Sequence, residues 1–230
     1  MNEHAIRTLM ERLADRRSRR VVFLSHCVLN ENVRYLGGAC SPGCVEAIVD
    51  GLRHEGIGMC QMRCPEQQAW GGVLKRRLLT VYGSRGTLAY RWRRLLVPLF
   101  LAYTAWRYRR LAREVVHEVE DYLRSGFEVA AIVGIDGSPS CGVHTTLDVW
   151  RSLEALARCP LATLDRRFVN DVVIAGSVVP GDGLFVQALR ERLRRRGLAV
   201  RFQAHSLVAE LAGRSPTLVG AARPAPPEQP

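Results

Sequence analysis

No apolar run in the sequence is long enough to cross a bilayer. A spanning helix needs about 20 apolar residues, whereas the stretch LLVPLFLAYTAW at 95–106 has 12. The chain does not open on an apolar segment either. Residues 1–20 (MNEHAIRTLMERLADRRSRR) carry charge throughout, which argues against a secretory leader and sets the expectation of a cytoplasmic protein. No two of the seven cysteines stand two residues apart, so the paired knuckles of structural zinc sites are missing. An odd number of cysteines in a reducing compartment points to metal ligands, reactive thiols or core packing rather than to a disulfide framework. Internal repeats are absent. Acid is in short supply, with 22 acidic against 33 basic residues and a formal net charge of +11.

What is present suits one α/β domain: 230 residues, of which 47% are apolar. The basic excess is mostly arginine, clustered at Arg16, Arg17, Arg19 and Arg20, over 75–113 and from Arg190 to Arg201. We read it as solvated surface that attracts anions as a side effect. Helical spacing of apolar residues predicts a helix over 4–17. The β-branched run VVFLSH at 21–26 predicts a central strand, apolar on both faces. The Asn- and Gly-rich CVLNENVRYLGGACSPG predicts a loop. A helix follows to residue 54, with Ser41 as N-cap, Pro42 in its first turn and Gly56 as its stop. IGMCQMR at 57–63 is a second strand, 65–90 reads as irregular, and 91–124 as a helical pattern interrupted by Pro98. EVAAIVGID at 128–136 is the clearest strand. A helix over 148–157, an undefined stretch at 159–182, a helix over 183–197 and a strand over 198–205 complete the pattern. The proline-rich end RPAPPEQP predicts disorder.

Alternating strands and helices predict a single domain, 21–205, built on a parallel, Rossmann-like sheet flanked by helices. An N-terminal basic helix within 1–20 precedes it and a tail at 206–230 follows. In such sheets ligands bind beyond the carboxyl ends of the strands. Cys27 directly follows VVFLSH, Cys64 follows IGMCQMR, and Cys141 lies in GSPSCG just after EVAAIVGID. Packing alone gives no reason for a cysteine at each of three consecutive strand ends. Parallel strands would bring the three thiols to one rim, a triad suited to a soft metal. Structural zinc wants four ligands. An iron–sulfur cluster on three thiolates leaves one iron open as a Lewis acid. Cys60 is expected in the core of its strand, Cys44 inside the helix that follows Pro42, and Cys40 in the loop before it. Glu66, Asp136, Ser138, Ser140, Asn30 and His26 flank the triad, and Gly137 and Gly142 permit close backbone approach. Asp136 and Asn30 equally suit turn capping. Glu66 has the strongest functional claim among them.

SHCVLNENVRYLGG, MRCPEQQAWGG and GIDGSPSCGV, in this order, resemble the thiouracil desulfurase family and its desulfidase relatives over roughly residues 20–145. The resemblance implies a [4Fe–4S] cluster on Cys27, Cys64 and Cys141, with the fourth iron free for the sulfur of a thiocarbonyl substrate. It implies non-redox hydrolysis that releases sulfide, with Glu66 as base, Ser138 as hydrogen-bonding residue and Asp136 as a further catalytic candidate. The expected partner is a small thiolated molecule or a thiolated nucleobase.

The segment 73–113 has no counterpart in that resemblance. A lid over the site or packing in a homodimer is its first reading. A buried core helix is the second, and membrane contact through 91–113 the third. Two alternatives compete for the function. One is a zinc- or cluster-stabilised nucleic-acid-binding protein that uses the arginines on phosphates. The other is a cluster-dependent hydro-lyase with Glu66 as base.

Overall fold

The computed structural model describes residues 3–81 and 86–219. The first half of the chain runs α1 (Glu3–Arg12), β1 (Arg20–Ser25), α2 (His26–Leu29), α3 (Glu46–His54), β2 (Gly58–Met62), α4 (Pro65–Ala69) and α5 (Arg76–Val81). Then come the 37-residue α6 (Leu88–Arg124), β3 (Glu128–Asp136), β4 (Thr145–Leu147) and α7 (Val149–Leu156). A π-helical stretch (Phe168–Ile174) runs into α8 (Ala175–Ser177). The chain continues through β5 (Val178–Pro180), α9 (Leu184–Arg195), β6 (Phe202–Ser206), α10 (Leu207–Leu211) and β7 (Leu218–Val219).

Strands β2, β1, β3 and β6 lie side by side in that order, all parallel, and β7 pairs antiparallel on the outer edge of β6. The expected sheet is therefore present, and helices cover both of its faces. Val21, Phe23 and Ile132 pack against Tyr108, Val116 and Val119 of α6 and against Phe185 and Leu189 of α9. On the other face Val22, Leu24, Val133 and Ile135 pack against Ile48 and Leu52 of α3 and Leu207 of α10. Full burial of each large apolar side chain contributes about 1.5–3 kcal/mol, so the all-apolar β1 and β3 are secured in the middle of the sheet. From β1 the chain moves to β2 on one side, then crosses back to β3 on the other. The strand order thus reverses between β1 and β3, which is where a crevice opens beyond the strand ends.

Several local expectations give way. The helix expected from Pro42 starts at Glu46, behind Val45 as N-cap. Glu31 is the reason: its buried carboxylate accepts the N–H groups of Cys40 (2.6 Å) and Ser41 (3.1 Å), which holds the preceding segment in bends. Cys44 therefore precedes the helix instead of sitting inside it. The loop after β1 holds the short α2 and a 3-10 turn at Glu31–Val33. The expected irregular stretch 65–90 contains α4 and α5, helices too short to show an apolar period. Pro98 does not interrupt α6. It is exposed, with Val97 and Phe100 buried on either side of it, so the carbonyl it leaves unpaired belongs to the outer face. The undefined 159–182 holds the π-helical stretch and β5, which pairs antiparallel with β4. The first helix is shorter than expected and ends at Arg12, and β6 begins only at Phe202. RPAPPEQP lies outside the described residues.

Candidate functional site

Three neighbouring strands deliver their chain to one rim. Ser25 ends β1, and its hydroxyl donates to the carbonyl of Val133 at 3.0 Å, tying β1 to β3. His26 and Cys27 follow at once in α2. Beyond β2, Cys64 is the N-cap of α4, its sulfur accepting from the N–H of Gln67 at 3.4 Å and Pro65 filling the first helical position. The helix is anchored in turn by Trp70, whose Nε1 donates to Thr104 of α6 at 3.0 Å. Beyond β3 the GSPSCG loop doubles back until the carbonyl of Cys141 accepts from the N–H of Ile135 at 2.8 Å. Cys27, Cys64 and Cys141 line one cavity of about 150 Å³. Cys64 and Cys141 are buried, Cys27 is half-buried, and all seven cysteines are free thiols.

The Cys141 loop is held by backbone on both sides. From α9 the N–H of Leu184 donates to the Pro139 carbonyl (3.0 Å), and those of Phe185 and Val186 donate to the Ser140 carbonyl (3.0 and 3.3 Å). A Cβ on Gly134 would stand 2.1 Å from the Cys141 carbonyl oxygen, and one on Gly142 would stand 2.1 Å from that of Thr145. Only glycine permits these approaches.

Glu66, one residue past Pro65, faces the serines of the same loop. Its Oε1 accepts from the Ser140 hydroxyl at 2.8 Å. Ser138 Oγ lies 3.0 Å from Ser140 Oγ and 3.5 Å from Glu66 Oε1, while accepting the N–H groups of Ser140 and Cys141. The protons can thus line up from Ser138 to Ser140 to Glu66. Ser140, buried and directly bonded, is the closer partner of the carboxylate; the resemblance had pointed to Ser138.

Asp136 is outside the cavity wall. Its Oδ1 accepts from the N–H groups of Val143 (2.9 Å), His144 (2.8 Å) and Thr145 (3.2 Å), and its Oδ2 faces His144 Nδ1 at 2.9 Å. Burial acts to raise its pKa, but these donors outweigh it and hold the carboxyl below its ordinary value. This geometry fits the turn-shaping alternative rather than contact with substrate. Asn30 likewise caps the 3-10 turn through the N–H of Asn32. His26 lines the cavity, and burial together with Lys75 lowers its pKa.

Two cations at the site escaped sequence reasoning. Lys75 is buried, with Nζ donating to the Val33 carbonyl at 2.8 Å and lying 3.7 Å from both Cys64 Sγ and Glu66 Oε2. Its φ of +53° is a left-handed conformation that non-glycine residues rarely adopt. The signal was available: Lys75 is the single lysine beside 32 arginines. Arg34 lines the cavity and its Nη1 bridges two buried carboxylates, Glu31 (3.0 Å) and Glu210 (2.8 Å), the latter also bonded to His205 at 2.7 Å. Among the described residues, Arg34 Nε and Nη2 and His26 Nδ1 are buried with no hydrogen-bond partner. Glu31, Cys40 and Glu210 bring ligand-type atoms within 4.8 Å of one another, but the Arg34 guanidinium already supplies the positive charge there.

Burial drives the Cys27 thiol well above its ordinary pKa, and Cys141 and Cys64 nearby add to this while Arg34 opposes it. Burial pushes Cys141 up to about 12. Cys64 is raised by burial and by Glu66, with Lys75 working against both. Without a further cation these thiols stay protonated; a bound metal would displace three protons. Cys40, Cys44, Cys60 and Cys159 are not part of the cavity wall. Compared with protein-family models, with curated proteins and with solved structures, the chain finds no match in any of the three.

Proposed function

We propose that the chain is a [4Fe–4S]-dependent, non-redox desulfurase that removes sulfur from a thiocarbonyl small molecule or thiolated nucleobase and releases sulfide. One observation carries this reading: the thiols of Cys27, Cys64 and Cys141 and the Ser140-bound Glu66 all line a single cavity at the point where the strand order reverses. The likeness of the three motifs to thiouracil desulfurases supports it. The residues also fit the group. A cavity of about 150 Å³ is roughly ten times what one water-sized species needs, which favours a polynuclear cluster over a lone ion. A thiolate-bound cluster is anionic, and Arg34 and Lys75 stand beside two of its three proposed ligands. The unpartnered Arg34 donors suit an anionic guest.

When bound, the cluster supplies an iron without a protein ligand that polarises the C=S bond. Glu66 Oε1 accepts a proton from the attacking water, and Ser140, backed by Ser138, keeps the carboxylate aimed at the cavity. Water replaces sulfur at the carbon, C=S and H₂O become C=O and H₂S, and no electrons are needed. Leu147, Leu153, Val169 and Ile174 form an apolar wall against which a planar ring can lie with bulk water excluded.

The test is anaerobic purification followed by iron and acid-labile sulfide analysis. About four of each per chain are expected in the wild type, in Cys60→Ala and in Cys159→Ala, and loss in Cys27→Ala, Cys64→Ala and Cys141→Ala. Thiouracils and related thiocarbonyl compounds are then assayed for sulfide release with no electron donor. Ser140→Ala should keep its iron and lose about tenfold to a hundredfold in rate. A chain that holds zinc, or no metal after reconstitution, sinks the proposal.

A further inference from the structure

The net charge of the chain has a single address. Between Glu66 and Glu114 lie eleven basic residues and no acidic one, so the remaining chain is balanced at 22 of each sign. Most of that segment is α6, which is apolar on two opposite faces. Val97, Phe100, Thr104, Tyr108 and Leu111 are buried against the domain. Opposite them, Leu88, Trp92, Leu95, Leu99 and Trp106 follow one another at spacings that keep them on one helix face, and each is 54–76% exposed. This stripe runs about 27 Å at 1.5 Å per residue. Arg91 and Arg94 flank it, and Arg109, Arg110 and Arg113 continue it; all five are exposed and, among the described residues, have no ion-pair partner. A basic groove of about 360 Å³ between α6 and α9, lined by Arg109, Arg192, Arg195, Arg196 and the carboxylate of Glu191, adjoins its end. No residue of α6 itself lines the cysteine cavity, although Leu78 of the preceding α5 does; α6 packs into the core by one face and leaves the stripe exposed.

We propose that the outer face of α6 docks on an anionic phospholipid surface, the helix lying in the plane of the interface. Charge decides among the occupants. A second copy of this helix would set arginine against arginine, because the segment has no acid to offer. Leucines between the tryptophans suit acyl chains better than nucleobases, which stack on aromatic faces. An amphipathic helix with a lipid-facing apolar stripe and arginines reaching to headgroups is the physical form of such a contact. With no bilayer-crossing helix among the described residues, the contact is peripheral.

The test is vesicle co-sedimentation of the full chain. It should pellet with phosphatidylcholine vesicles containing roughly 30% phosphatidylglycerol, far less with phosphatidylcholine alone, and less as salt rises. Leu95→Glu with Leu99→Glu should weaken binding about tenfold or more, and Arg91→Gln with Arg94→Gln should flatten the salt dependence, both with an unchanged thermal midpoint. Quenching of tryptophan fluorescence by brominated lipid reads the same contact, and its loss in Trp92→Phe with Trp106→Phe assigns it to the stripe. The proposal is overturned if the wild type ignores anionic vesicles or goes unquenched. It is equally overturned if RNA oligomers outcompete the vesicles, or if the chain forms a dimer that Leu95→Glu with Leu99→Glu dissociates.

Discussion

Arg34 at the cavity wall and Lys75 behind Cys64 and Glu66 are buried, and each stands within 4 Å of a carboxylate. On the outer face of α6, Arg91, Arg94, Arg109, Arg110 and Arg113 stand in solvent with no such partner among the described residues. The same kind of charge does different work in the two places. Inside, removing a cation strands the anions that were folded around it. Outside, water and salt screen whatever is removed. Burial, then, and not the number of arginines, tells which cations the fold depends on.

The sharpest test of that contrast is Arg34→Met. It leaves Glu31 and Glu210 buried without their shared counter-ion and should cost about 3–5 kcal/mol of stability by urea unfolding. A loss below about 1 kcal/mol would place Arg34 with the surface arginines and break the comparison. Next in size is Asp136→Asn, expected to cost about 2 kcal/mol near neutral pH through its charge-assisted bonds to the Cys141 loop. Its folded pKa is depressed, so the contribution is present above the unfolded value of about 3.9 and fades as pH falls through the lower folded value. Wild type and variant should therefore converge in acid; a gap that persists there would assign the effect to packing. Under the cluster proposal, Lys75→Met should show itself less in stability than in metal retention, with iron lost to a chelator about tenfold faster than from the wild type. Unchanged iron retention would remove Lys75 from the site. The smallest effect belongs to Arg94→Gln on α6, within about 0.5 kcal/mol of the wild type by the same unfolding measurement.

How far the sequence was legible follows the same division. The strand ends could be read because β1, β2 and β3 are short apolar runs whose limits are set by polar residues, so the three cysteines could be placed at the rim before any fold was known. The Ser140 contact was harder to see, since Ser138 and Ser140 flank one proline and only the doubling-back of the loop decides which hydroxyl meets Glu66. Lys75 arrives from a strained turn after a five-residue helix, where no periodicity marks its side chain as pointing inward. Arg34 was hidden among 32 arginines, and its partners lie 3 residues before it and 176 after it. Helix α6 was read correctly as helical and misjudged at Pro98, because pattern alone does not tell which face of a helix meets water.

The grip of α9 on the Cys141 loop bears on the order in which the protein is made. Cys27, Cys64 and Cys141 come from segments spread over more than a hundred residues, and the loop that holds the last is fixed by N–H groups of residues 184–186. Synthesis proceeds at about 5–20 residues per second, so several seconds separate the first of these cysteines from the helix that completes the pocket. Throughout that time the thiols are unassembled and open to oxidation or to stray metal. The cavity is thus complete only in a chain nearly finished, and under the cluster proposal loading follows the docking of α9.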